Sequence, residues 1–334
     1  MLANNNKMII NKLAKNSVKS NKKQYGILFF TIVLSAFMLF CVFTIGWTYL
    51  DSSRLQNTRL NGAEYDITTM NGFTSKQVKS LQSNKNIQNV GMESYAGFIK
   101  SSEFDNTVEI GLLWCDETFW NNLMSPARTK LDGHYPQNKN ELMVTKDILK
   151  ACGNENLSVG DSIVLTYENN TGVHTDKFVI SGIWDGYGDK SAGFVSKNFY
   201  DETGYDLKND GILCIKLNRN YVLPTTIQSL EKSLNFSDRQ IFAPTDYIEN
   251  SFKLLLGICG LALVICLSAY LLIYNILYLS ISGKIRYYGL LQSLGMTKKQ
   301  LVRFITKQML FIAIAGIFIG NLLGILLCIK LVPY

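Results

Sequence analysis

The sequence predicts a membrane protein with a helical transmembrane region of three spans and a large inserted α+β domain. Two observations predict the spans and the insertion. Uncharged runs of 27, 30 and 22 residues cover positions 24–50, 254–283 and 308–329. All 26 acidic residues lie between positions 51 and 249, where apolar and polar residues alternate as they do in strands.

The length of the uncharged runs favours transmembrane helices over buried helices of a soluble protein. A hydrocarbon core of roughly 30 Å needs about 20 helical residues. We therefore predict transmembrane helices at 26–50, 254–280 and 308–330. A cleaved signal peptide is the alternative for the first run, but its apolar region would be about half as long, and no small-residue cleavage pattern follows here. Trp47 and Tyr49 fit the membrane interface of a retained anchor.

The distribution of charge predicts the orientation of the chain. Segment 1–25 contains six lysines and no acid, and the loop at 281–307 contains six cations and no acid. Both are cytoplasmic by the positive-inside rule, which places 51–250 outside the cell. The net charge of +7 is therefore concentrated beside the membrane, where anionic lipids are the expected partner and nucleic acid is not.

The external segment 51–250 reads as two β-α-β units that bracket an inserted, mostly β region at about 100–200, which makes two subdomains. The first unit is a strand at 65–70, a helix capped by Thr74 and a strand near 91–99. The second is a strand at 212–217, a helix at 224–234 and a strand at 239–242. The insertion contains strands at 141–144, 159–167 and 177–184, with a short helix at 145–152.

No constellation of residues predicts catalysis. His134 and His174 are isolated, without a nucleophile or an orienting partner in the pattern, and no P-loop is present. Cys115, Cys152 and Cys214 have no metal-ligand spacing, and one disulfide among them stays open. We therefore predict that the chain is not an enzyme and has no cofactor or metal site.

The loop after the second span resembles the cytoplasmic signature of FtsX-like (MacB-type) ABC transporter permeases. Residues 284–301 read KIRYYGLLQSLGMTKKQL, which follows that family's pattern of a basic helix, Gly-Leu-Leu, Leu-Gly-Met and a second basic helix. Residues 131–142 (LDGHYPQNKNEL), 159–161 (VGD) and 180–182 (ISG) resemble its external pattern. The likeness covers nearly the whole chain, including the order of the helices.

The resemblance implies a multi-pass permease subunit of the bacterial plasma membrane, without ATPase activity of its own. Its partners would be a cytosolic ABC ATPase subunit and a second permease copy or half, and its role would be export or resistance involving a peptide, antibiotic or lipid-linked substrate. The implied ATPase-coupling residues are Gly289, Leu290, Leu291, Leu294, Gly295 and Met296. Two departures are notable: Tyr287 and Tyr288 stand where family members often have an acid, and a fourth helix is expected but absent.

Several alternatives stay open at this point. The chain could activate an external hydrolase or sensor rather than transport, or be an anchored binding protein with no ATPase. The basic loop could simply hold lipid head groups. The series Gly316, Gly320 and Gly324 forms a small-residue helix face, which favours packing within the chain over a dimer interface.

Overall fold

The computed structural model describes residues 7–100, 110–187 and 192–331, which divide into two compact units. The membrane unit consists of the described residues up to Leu50 and from Leu254 onward, and the external unit is Asp51–Lys253. In chain order the helices are α1 (Lys7–Ser20), α2 (Lys22–Asn61), α3 (Ser75–Gln82), α4 (Lys146–Ala151), α5 (Lys197–Tyr200), α6 (Leu207–Asp210), α7 (Pro224–Ser233), α8 (Asp246–Ser282), α9 (Ile285–Ser293) and α10 (Lys298–Leu331). The strands are β1 (Ile67–Met70), β2 (Ile87–Lys100), β3 (Ile110–Cys115), β4 (Arg128–Gly133), β5 (Glu141–Thr145), β6 (Ser162–Asn169), β7 (Gly172–Gly186), β8 (Ala192–Val195), β9 (Ile212–Leu217) and β10 (Ile241–Pro244).

Within the described part of the chain, three helices are long and apolar enough to cross a membrane: α2, α8 and α10. Their large apolar side chains are mostly exposed, as Phe30, Leu263 and Phe318 show. An outward apolar surface of this kind suits a hydrocarbon solvent, because burial inside the protein adds nothing where the surroundings are equally apolar.

Helices α2 and α8 are longer than the predicted spans. α2 continues past residue 50 to Asn61, because the residues after the apolar run are compatible with a helix and Asp51 pairs with Arg54 one turn later at 3.9 Å. The helix ends where Gly62 adopts a φ of 69°, a left-handed conformation that glycine adopts without strain. α8 likewise begins at Asp246, before its apolar run.

The two predicted β-α-β units are present and form one antiparallel arrangement. The strand order β10-β1-β9-β2 carries α3 and α7 in its connections, which is the split β-α-β topology. Thr74 caps α3 as predicted: its hydroxyl accepts from the Gln77 N–H, and the Gln77 side chain accepts from the Thr74 N–H in return. Pro224 is the first residue of α7, where its missing N–H costs nothing.

The inserted region extends the same sheet instead of forming a separate one. Strand β2 is 14 residues long, so that it pairs with β9 along its first part and with β3 and β6 along its second. β8, β5, β7 and β4 follow from β3, with β6 also paired to β7. The predicted strands at 141–144, 159–167 and 177–184 correspond to β5, β6 and β7, and the predicted helix corresponds to α4 with Thr145 as its N-cap.

A buried cluster of charged side chains lies where α2 ends and the sheet begins. Lys216 of β9 is 5% exposed, and its Nζ lies 3.2 Å from Glu64 Oε1 and 3.4 Å from Asp66 Oδ2. Asp66 is 1% exposed, and its carboxylate also accepts from the Leu217 N–H at 2.8 Å. Burial raises the pKa of Asp66, and the charge of Lys216 opposes that rise. Glu64 in turn contacts Arg54 of α2 at 3.4 Å.

We expect Lys216→Met to destabilise a polypeptide of residues 51–253 by about 3–5 kcal/mol, because it leaves the Asp66 carboxylate buried without its counter-charge. The matched control is Lys139→Met, which removes a lysine from the exposed pair with Glu202 and should cost no more than about 1 kcal/mol. Urea unfolding followed by circular dichroism measures both. A loss for Lys216→Met as small as that of the control would show that the buried cluster does not stabilise the unit.

Candidate functional site

The loop between the second and third spans consists of a short helix, a tight turn and the first residues of α10. Helix α9 ends in a Schellman motif, in which the Met296 N–H donates to the Leu291 carbonyl at 3.1 Å and the Gly295 N–H to the Gln292 carbonyl at 3.0 Å. Gly295 has a φ of +100°, which a residue with a Cβ adopts only with strain. The sequence therefore breaks the helix sharply at Gly295.

A capping box starts the next helix directly after that turn. Thr297 Oγ1 accepts from the Gln300 N–H at 3.3 Å, and Gln300 Oε1 accepts from the Thr297 N–H at 2.9 Å. The glycine that ends α9 and the capping box that begins α10 thus lie within residues 295–300. Both signals are local, so the break between α9 and α10 is encoded within the loop itself.

Helix α1 packs against this loop. Ile10 and Ala14 of α1 are buried in one cluster with Tyr288 of α9 and Phe304 of α10. The partly buried side chains around it are Leu291, Leu301 and Ile305. The N-terminal segment is therefore a packed helix and not only the basic segment that the sequence analysis described. The repetition of Ile10, Ala14 and Val18 every four residues is the signal that predicts this helix.

The structure divides the six predicted coupling residues between two faces. Leu290 is 58% exposed and Leu294, one turn later, is 76% exposed, while Gly289 has open space around its Cα. Leu291 instead packs against the cluster with α1, and Met296 is half-buried. Leu290 and Leu294 therefore form an exposed apolar pair, whereas Leu291 belongs to the interior of the loop.

The position where family members often carry an acid is buried here. Tyr288 is in the cluster with α1, and burial raises its pKa to about 12, with the neighbouring hydroxyls of Tyr25 and Tyr287 adding to the shift. Tyr287 is exposed. The loop at 281–307 contains no acidic residue, so its charged side chains are all basic. The exposed cations around the leucine pair are Arg286, Lys298, Lys299 and Arg303.

The three predicted packing glycines face α2. A Cβ at Gly316 would lie 2.9 Å from Ile32 Cγ2, and one at Gly320 would lie 2.6 Å from the Val33 carbonyl oxygen. A Cβ at Gly324 would meet the ring of Phe40. These approaches are closer than side chains tolerate, so the small-residue face of α10 is occupied by α2 of the same chain.

Among the described residues of the external unit, both histidines make local contacts. Nδ1 of His134 contacts the Tyr135 carbonyl at 3.0 Å, and Nε2 of His174 contacts the Thr171 hydroxyl at 2.8 Å. Across residues 7–100, 110–187 and 192–331, no three His, Cys, Asp or Glu side chains converge as a metal site would require.

These features define a class of membrane protein: spanning helices with an inserted external α+β unit and a short basic loop between the last two spans. Residues 259–331 match the family model described as FtsX-like permease C-terminal, which includes α9, α10 and most of α8. The match confirms, for residues 259–331, the resemblance to FtsX-like permeases that the sequence analysis described. No sequence among curated proteins matches significantly.

Three solved structures align with part of this chain. The periplasmic region of MacB from Actinobacillus actinomycetemcomitans aligns with a TM-score of 0.39 and 15% identity, over 58% of this chain and 95% of that one. The extracellular domain of the noncanonic ABC-type transporter YknZ from Gram-positive bacteria aligns with a TM-score of 0.35 and 10% identity, over 53% and 98%. A domain of a putative permease protein from Porphyromonas gingivalis gives 0.34 and 11%, over 58% and 95%.

We expect Gly320→Ala to destabilise the membrane unit by about 1–3 kcal/mol, because the new methyl group would collide with the Val33 backbone, which cannot move aside as a side chain can. The control is Gly257→Ala in α8, where nothing lies within 4 Å of the added carbon. That change should be neutral or stabilising, since alanine favours a helix by about 1 kcal/mol over glycine. Thermal unfolding in detergent measures both variants, and equal effects would contradict close packing of α10 on α2.

Proposed function

We propose that this chain is the transmembrane subunit of a bacterial ABC transporter and that Leu290 and Leu294 dock it to a cytosolic ATPase. The observation that carries the proposal is the exposed apolar pair on a loop whose geometry is set by its own helix caps. An exposed leucine pair at i, i+4 spacing is the pattern of a helix that inserts into a hydrophobic groove of a partner.

The residues around the leucine pair support docking to a protein. The packing of Leu291 and Tyr288 against α1 holds α9 in place, so that little conformational entropy is lost when a partner binds. A groove on an ATPase would take Leu290 and Leu294, while Leu291 would stay within this chain.

The cations around the pair have a separate role in the proposal. Arg286, Lys298, Lys299 and Arg303 are exposed, and exposed charges at an interface rim mainly steer association and set orientation. We therefore assign the contact affinity to the leucines and the orientation at the membrane surface to the cations. A loop that only held lipid head groups would show the opposite dependence.

The proposed topology follows from the positive-inside rule. Segments 1–25 and 281–307 are cytoplasmic, and the external unit lies outside the cell. Helices α2 and α8 each continue from an apolar run into the external unit, so they are the covalent links through which ATPase-driven movement would reach it. A second copy or permease half would complete the transporter, which we propose acts in export of, or resistance to, a peptide, antibiotic or lipid-linked substrate.

The docking role predicts that Leu290→Asp and Leu294→Asp each abolish co-purification of the ATPase, because each change buries an uncompensated carboxylate at the contact. The control is Leu223→Asp, which adds the same charge at an exposed position of the external unit. Neutralising Lys298, Lys299 and Arg303 together should reduce co-purification less than either leucine change. ATPase retained at the wild-type level by both leucine variants would refute the docking role.

The topology predicts the pattern of limited proteolysis in wall-stripped cells. Protease added outside should cut within 51–250 and leave the loop at 284–303 intact, because that loop lies behind the membrane. Detergent permeabilisation is the control, since it should give the same protease access to the loop and its surface cations. Cleavage of 284–303 in intact cells would reverse the orientation.

A further inference from the structure

The side chain of Tyr25 contacts two polar side chains from other segments of the membrane unit. The Tyr25 hydroxyl of α2 donates to Gln308 Oε1 of α10 at 2.8 Å, and both side chains are buried, with Gln308 only 1% exposed. Nζ of Lys284, at the start of α9, lies 5.0 Å from the centroid of the Tyr25 ring. We call Tyr25, Lys284 and Gln308 the Tyr25 cluster.

The cluster holds two buried donors without an acceptor. Nζ of Lys284 and Nε2 of Gln308 are both inaccessible, and neither has a hydrogen-bond partner among the described residues. The contact with the Tyr25 ring offsets part of the cost of burying the ammonium group, but an aromatic face attracts a cation less strongly than a negatively charged oxygen does. Burial lowers the pKa of Lys284, as expected where no counter-charge is nearby. Among the described residues, neither donor has an acceptor within hydrogen-bond distance.

The membrane unit contains no acidic side chain that could accept a hydrogen bond from Lys284. All 26 acidic residues lie between positions 51 and 249, so residues 1–50 and 254–334 contain none. Those two segments together contain 13 lysines and arginines. These two segments therefore contain no acidic side chain that could neutralise Lys284.

The position of the cluster identifies the class of molecule that could supply a counter-charge. Tyr25 lies at the beginning of the uncharged run 24–50, Gln308 begins the run 308–329, and Lys284 follows the run 254–283 directly. All three residues therefore lie where hydrocarbon gives way to head groups, which is the depth at which a phospholipid carries its phosphate. A carboxylate of a soluble ATPase subunit would have to reach that depth between packed helices.

We propose that Lys284 and Gln308 bind the phosphate of an anionic phospholipid at the membrane boundary, with Tyr25 positioning the Gln308 amide. The hydroxyl of Tyr25 holds Gln308 Oε1, which leaves the two N–H groups of Nε2 to donate. Both nitrogens are inaccessible in the chain alone, so the side chain of Lys284 turns toward the head groups when the phosphate accepts from the amide and the ammonium group. This site depends on the membrane location of the helices but not on the proposed ATPase contact.

The experiment compares lipid binding by variants of the full chain in detergent, using native mass spectrometry. Phosphatidylglycerol and a neutral diacyl glycolipid without phosphate are supplied in equal amounts. Lys284→Met should weaken phosphatidylglycerol binding about tenfold, the expected loss for one hydrogen bond to a charged group. Lys299→Met removes one charge from an exposed position of the same loop and should bind like the wild type. Lys284→Arg should retain binding, and Gln308→Leu should weaken it.

Four outcomes would overturn the proposal. Equal phosphatidylglycerol binding by the Lys284→Met and Lys299→Met variants would show that the lipid is held by general attraction to cations and not by this site. Equal binding of the glycolipid would exclude the phosphate as the ligand. Displacement of phosphatidylglycerol by inorganic phosphate at the same concentration would assign the site to free phosphate. Loss of the ATPase from Lys284→Met with unchanged lipid binding would assign the counter-charge to a carboxylate of that partner, which keeps this test separate from the docking proposal.

Discussion

A hydrocarbon layer offers no hydrogen-bond partners, and that constraint determines how this chain is organised. It accepts only segments whose backbone groups are bonded internally and whose side chains carry no charge, and α2, α8 and α10 meet both conditions over their apolar runs. The same constraint separates the acidic residues from the membrane unit. The external unit can therefore use buried ion pairs such as Lys216 with Asp66, while all charged residues of the membrane unit are cations.

The loop after the second span has an unusual distribution of polar and apolar groups. Two leucines that a monomer would normally bury, Leu290 and Leu294, are exposed, and an ammonium group that a monomer would normally expose, that of Lys284, is buried. Both observations have the same physical explanation if other molecules bind to this loop. In our account a protein groove covers the leucines, and a lipid phosphate neutralises the lysine.

Local patterns in the sequence were sufficient for much of the fold. The spans follow from hydropathy, and the β-α-β units follow from short-range signals such as the Thr74 cap and Pro224 at the start of α7. The pairing of the inserted strands was not predictable in the same way, because β3 pairs in parallel with β8 across about 80 residues. Such long-range pairings depend on the packing of the whole sheet, which no local window of sequence contains.

The helix break in the loop was predictable from the sequence, but the burial of each leucine was not. The Gly-Leu-Leu and Leu-Gly-Met groups identified the loop, and Gly295 does end α9. The opposite placement of Leu290 and Leu291 depends on α1, whose packing on α9 involves residues separated by almost the whole chain. The Tyr25 cluster is a further example, since Tyr25 and Gln308 are 283 residues apart. Tertiary contacts of this kind decide which of several similar residues remain available to a partner.

Site-specific photo-crosslinking in living cells tests directly whether the exposed face of α9 contacts an ATPase at the membrane. A photoreactive amino acid placed at Leu294 should form a crosslinked product that contains a P-loop ATPase, because that side chain is 76% exposed and would lie in the groove of the partner. The same amino acid at Leu223, an exposed position of the external unit, should give no such product. Crosslinking of position 294 to lipid alone would contradict the account.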